Sequence, residues 1–182
     1  MLSAISIVLG IIPNIGIIQI GPVALTILHI PVIIAAIMDG IVGGTLLGLV
    51  FGLTSWFVAA TRGITPLDLL FINPLVSVLP RIVFGLVAGI LSKLLIKDNS
   101  KAIMNGVMGF ISTFIHTILV YICLFFFAKD LVINNIQIDG TIVTLFKFII
   151  SIFTLNALLE ASLAALISYL LDKVIKVSKK RH

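Results

Sequence analysis

Long apolar runs alternate with short polar interruptions along the whole of this 182-residue chain. The first run, 1–12, is short for a crossing, because a helix of that length rises only about 18 Å against a hydrocarbon core of about 30 Å. It has neither a basic start nor a small-residue cleavage site, so we read it as a first helix whose beginning is incomplete and not as a signal peptide. Residues 13–22 hold Pro13, Asn14, Gly16, Gly21 and Pro22 among isoleucines, too broken for a helix and too apolar for a solvated loop. Further helices are expected at 24–38, interrupted by Pro31, at 41–60, at 74–96 with Pro74 in its first turn, at 102–128 and at 141–177. Asp39-Gly40 and 97–101 read as tight turns, and 61–73 and 129–140 as polar loops. No stretch alternates polar and apolar residues as a half-buried strand does. The expected fold is all-α, an integral membrane six-helix bundle forming one transmembrane domain over 1–182.

Composition strengthens this picture. Hydrophobic residues make up 60% of the chain and charged residues 10%, too little charge to cover a soluble domain. The net charge of +5 does not point to nucleic acid, because the basic residues sit at segment ends. Lys93, Lys97, Lys101, Lys173, Lys176, Lys179, Lys180 and Arg181 fall on one side of a six-crossing chain, and Arg62 and Lys129 on the other. Positive residues stay inside, so both termini are expected in the cytoplasm of a bacterial cell, with the loops at 13–22, 61–73 and 129–140 facing out. Cys123 has no disulfide partner in the chain and reads as inert packing.

Gly40, Gly44, Gly48 and Gly52 recur every fourth residue, and Gly85 and Gly89 repeat the spacing. Such a face lets another helix approach closely. It serves either internal packing or the docking of a separate membrane subunit, and spacing alone does not separate the two. Ionisable groups inside apolar spans are costly and mark sites or pathways. Arg81 and Lys147 each lie about two turns inside a span, and Gln19, His29, Asn73 and Asn156 are placed to face the same outer half. Two cations at that depth would hold an anionic ligand such as a carboxylate. The plainer reading has them snorkel outward or pair with Asp68 and Asp139. His116 reads as a satisfied structural group, and Glu160 as a partner for another helix.

Enzyme signatures are missing: there is no His-Glu-x-x-His and no Gly-x-Ser-x-Gly element. No metal site is expected. No P-loop occurs, so ATP would be used only by partner subunits. The two halves share no repeated motif, which weighs against the rival reading of a stand-alone secondary transporter or channel.

The runs Pro13-Asn14-Ile15-Gly16, Gln19-Ile20-Gly21-Pro22 and Thr26-Ile27-Leu28-His29-Ile30-Pro31-Val32-Ile33 are similar to substrate-binding S components of energy-coupling factor vitamin transporters. So are Gly44-Thr45-Leu46-Leu47-Gly48-Leu49-Val50-Phe51-Gly52-Leu53-Thr54-Ser55 and Phe71-Ile72-Asn73-Pro74-Leu75-Val76-Ser77-Val78-Leu79-Pro80-Arg81. The resemblance is good over 1–96 and reduces to a similar helix pattern over 101–182. It implies a six-helix bundle that binds a vitamin near its outer face and works with a membrane coupling subunit and two cytoplasmic ATPases. His-Ile-Pro and Asn-Pro-Leu-Val-Ser-Val-Leu-Pro-Arg most resemble the pantothenate-type members, with folate the runner-up. The family docks its coupling subunit through small residues of the first three helices. Ala4 and the glycine face of Gly40, Gly44, Gly48 and Gly52 are the candidates here.

Overall fold

The computed structural model describes residues 1–12, 15–20, 23–62, 70–96, 102–127 and 142–172, with the backbone alone at 17–20, 23–25 and 142–155. Within these the chain is nearly all helical: α1 (Leu2–Ile11), α2 (Ile30–Arg62), α3 (Pro74–Ser77), α4 (Leu79–Leu95), α5 (Ala102–Phe127) and α6 (Ile142–Leu170). The exception is a two-stranded antiparallel ribbon, β1 (Ile17–Ile20) with β2 (Val23–Thr26), in register from Ile17–Thr26 to Ile20–Val23. This departs from a purely helical reading. Two runs of four residues, rich in β-branched side chains and bounded by Gly16 and Gly21-Pro22, are too short for periodicity to tell strand from helix. The ribbon also delays the next helix, which starts at Ile30 and not at 24.

Gly40, at φ 65° and ψ −139°, breaks α2 into two arms. Cβ atoms built on Gly43 and Gly44 would lie 2.8 Å from the Ala35 carbonyl oxygen and 3.1 Å from the Ala36 Cβ. Residues eight apart in a straight helix are about 12 Å apart, so the chain doubles back here. Only glycine takes this backbone conformation without strain. The first arm is buried at every residue from Ile30 to Ile37, as expected of a helix apolar on all sides. The second arm buries Gly44, Leu47, Gly48, Phe51 and Gly52 and leaves Val42, Leu46, Leu53 and Phe57 exposed.

Small residues inside and large apolar residues outside is the pattern of a helix solvated by lipid. Three helical segments among the described residues are long and apolar enough to cross a membrane: Ile30–Arg62, Pro74–Leu95 and Ala102–Phe127. Exposed Asp39 and Lys93 lie beside the Gly40 turn and mark one membrane face. Arg62 marks the other, where its guanidinium donates to the Ile11 carbonyl at the end of α1.

The glycine face packs within the chain. A Cβ on Gly44 would strike the Gly85 carbonyl, one on Gly48 the Arg81 carbonyl, one on Gly52 the Val78 backbone, and one on Gly89 the Ile41 backbone. The second arm of α2 and α4 are thus an antiparallel pair with backbones in contact. Gly44, Gly48 and Gly52 pack against the backbone of Val78, Arg81 and Gly85, and Gly40 serves the turn. Ala4, on α1, is exposed. In α5, Gly109 sits against the Ala164 carbonyl of α6, and Asn105 Nδ2 donates to Asp172 Oδ1 at 2.8 Å.

Ribbon backbone inside an apolar bundle needs partners for its N–H and C=O groups. The strands supply most of them, and Ile27 N–H donates to the Gly16 carbonyl at 2.9 Å. The Thr26 N–H donates to Glu160 Oε1 of α6 at 2.6 Å. Glu160 therefore serves the end of a strand.

Two outcomes are expected. Gly48→Leu overpacks a backbone contact, a change worth about 1–3 kcal/mol or more, and should lower the thermal midpoint in detergent sharply. Leu46→Ala, on the lipid side, should leave it nearly unchanged; equal midpoints for the two variants would mean that α2 and α4 do not pack this way. Glu160→Ala should destabilise by about 1–3 kcal/mol by stranding the Thr26 N–H. Glu160→Gln keeps an acceptor and should recover most of that loss in the same assay.

Candidate functional site

Pro80 shapes the site. Lacking an N–H, it cannot bond the carbonyl four residues earlier, that of Val76. Arg81 takes that acceptor, with Nη1 donating to the Val76 carbonyl at 2.7 Å. The guanidinium is thereby folded back into the bundle, 6% exposed, with its carbon 5.5 Å from the centre of the Phe51 ring and 5.1 Å from that of Phe71. Its Nε has no hydrogen-bond partner. Among the described residues no carboxylate pairs with it; Asp68 and Asp139 lie outside them. Burying a cation costs several kcal/mol even after relaxation, and contact with an aromatic face returns about 0.5–2 kcal/mol. Arg81 is a buried positive charge that calls for an anion.

Two imidazoles stand close by. His29, fully buried, ends the turn before the first arm of α2, and His116 projects from α5. Their rings stack at 5.6 Å with an interplanar angle of 12°. Phe84 meets His116 edge-on at 4.9 Å, and Phe51, which also lies under Arg81, meets it at 5.7 Å. None of the four ring nitrogens closes a hydrogen bond of normal geometry, although all are buried. A buried polar group left without a partner costs about 1–3 kcal/mol, and such groups in a native core are rare.

The three residues share one depth. Arg81 packs level with Gly48, eight residues above the Gly40 turn or about 12 Å along the second arm. The first arm, Ile30 to Asp39, rises about 15 Å, half of a hydrocarbon core of about 30 Å. His29 therefore stands near mid-depth at the N-terminal, partly positive end of a half-length helix. Everything gathered here favours negative charge and hydrogen bonding.

The other expected residues are placed differently. Asn73 is the cap of α3, its Oδ1 accepting from the Leu75 N–H at 3.0 Å. Asn156 is buried on α6, one turn from Glu160 and on the same helix face. Gln19 lies on β1 opposite Ala24, and Lys147 on α6; the side chains of both lie outside the described residues. Beside the ring of Phe71, the Trp56 indole N–H donates to the Ile72 carbonyl at 2.9 Å.

His116 and the phenylalanine walls were not anticipated. The available signal was the buried polar face of α5, where Asn105, Ser112, His116 and Cys123 recur at intervals of seven, four and seven, with Thr113 beside them. Among the described residues no three His, Cys, Asp or Glu converge on a common point.

Comparison with known proteins bears directly on this site. The chain is 34% identical over 158 residues to the pantothenic acid transporter PanT of Lactococcus lactis subsp. cremoris (strain MG1363), covering 77% of this chain and 78% of that protein. Residues 1–171 match the family model described as the ECF transporter, substrate-specific component, a transporter family and not a class of enzymes. On a match that extends over nearly its whole length, this membrane protein belongs to the family of substrate-specific components of ECF transporters.

Proposed function

We propose that this chain is the pantothenate-binding subunit of an ATP-driven vitamin importer in a bacterial plasma membrane. The observation that carries the reading is the buried guanidinium of Arg81, unpaired with any described carboxylate, at the depth where a half-helix ends. Pantothenate is a compact carboxylate with hydroxyl and amide groups, and one fixed cation with neighbouring hydrogen-bonding rings suits it. The relative from Lactococcus lactis named for pantothenic acid supports the same vitamin. Folate, the larger anion, would want an open aromatic slot. Here Phe51 and Phe71 are engaged by the Arg81 guanidinium, and Phe84 by His116.

The assembly belongs to the same reading. Six crossings place both termini in the cytoplasm, with the Asp39 and Lys93 face inside and the Arg62 face outside. The ligand would enter from the Arg62 side. A membrane coupling subunit would pack against the lipid-facing surface, with Ala4 on α1 as a contact, and two ATPases below it would use ATP. Gln19, Lys147 and Asn156 remain candidates for further ligand contacts from the ribbon and from α6.

Isothermal titration of the purified chain is expected to show one pantothenate bound. Arg81→Ala should weaken it by about tenfold to a hundredfold, the 1.5–3 kcal/mol typical of a charge-assisted hydrogen bond. Tight folate binding with none for pantothenate would overturn the vitamin. Pantothenate binding unchanged by Arg81→Ala would instead assign the arginine to structure.

A further inference from the structure

The stacked histidines are unexplained by anion binding alone. Arg81 already supplies a positive charge, and two further cations stacked at 5.6 Å beside it would repel one another. A neutral imidazole carries one donor and one acceptor; His116 spends neither within the protein, and His29 has only the Thr26 backbone beside it, outside normal hydrogen-bond geometry. Nor is packing a sufficient reason for them. At position 116 phenylalanine would fill the same aromatic cluster with Phe51 and Phe84 without burying two unpaired ring nitrogens. The pair sits on two different elements, the turn before α2 and the middle of α5, and both rings are held by aromatic contacts on their faces or edges.

We propose that His29 and His116 are the selectivity element of the site, exchanging hydrogen bonds with neutral hydroxyl and amide groups of the ligand while Arg81 takes its carboxylate. This rests on the pantothenate reading above and adds to it a division of labour. Charge holds the anion, and the imidazole pair rejects carboxylates that lack polar groups, because an aliphatic acid would leave the ring nitrogens unpaired.

The test compares pantothenate with panthenol, its uncharged alcohol counterpart, by titration of the full chain in detergent. The native protein should bind panthenol more weakly than pantothenate by the tenfold to hundredfold assigned to Arg81. His116→Phe should weaken both ligands by tenfold or more and leave their ratio unchanged, while Arg81→Ala should collapse the ratio. The ligand-free thermal midpoint of His116→Phe should hold or rise, which a structural histidine would not allow. His116→Gln should recover part of the affinity. Native affinities for both ligands in His116→Phe, or no panthenol binding by the native protein, would overturn the proposal. Should His116→Phe fail to fold, nitrogen-15 spectra of the histidine-labelled native chain decide: ring-nitrogen resonances must shift when pantothenate is added. Pantothenate binding with those resonances unmoved overturns the imidazole role alone. Absence of pantothenate binding by the native protein overturns the vitamin reading and this one with it.

Discussion

In hydrocarbon a backbone N–H or C=O has no water to turn to, and a helix that ends at mid-depth must find other partners for its neighbours. The first arm of α2 ends in this way at His29, and much of the architecture answers that break. The ribbon of β1 and β2 continues the chain while pairing its own backbone, and the Glu160 carboxylate takes the Thr26 N–H at its end. Across the bundle Pro80 makes a second break, and Arg81 repairs it by donating to the Val76 carbonyl. Both repairs bring charged side chains into the interior. A polar site at this depth is thus a by-product of two interrupted helices, each using an ionisable group to satisfy backbone.

Close approach of backbones makes the arrangement possible. Gly44, Gly48 and Gly52 let α4 settle directly on α2, so that the carbonyl of Arg81 touches Gly48 and its side chain emerges beside Phe51. A bulkier residue at Gly48 would push α4 outward and carry the guanidinium with it. The glycines position the cation without touching it. Their large apolar neighbours face lipid, since in a membrane there is no gain in hiding leucine from a solvent as apolar as itself.

Much of this was legible in the residues. Asp39-Gly40 announced a reversal because few residues besides glycine tolerate that backbone, Pro74 announced a helix start, and Arg81 stood out as a charge in an apolar run. The resemblance over 1–96 named the family. What escaped has physical reasons. Two four-residue strands carry too few positions for a period to show. A glycine stripe states that something comes close, without saying whether the neighbour is in the same chain. His116 looked satisfied because sequence does not reveal which partners a buried ring lacks. The bond of Glu160 to Thr26 was not legible, because only the fold brings a strand end 134 positions away to its side.

The half-length arm also bears on how the protein is made. Membrane insertion proceeds by offering each emerging apolar segment to the bilayer, and a segment from Ile30 to Asp39 reaches only about halfway across. It has no stable transmembrane state of its own. It must be held back until the second arm has emerged and Gly40 has turned, so that the hairpin enters as one unit. The ribbon must then wait longer still, until α6 arrives with Glu160 to receive Thr26. The order of synthesis makes α6 the piece that closes the ribbon, and a ribosome stalled before it would leave an inserted bundle with an unfinished centre.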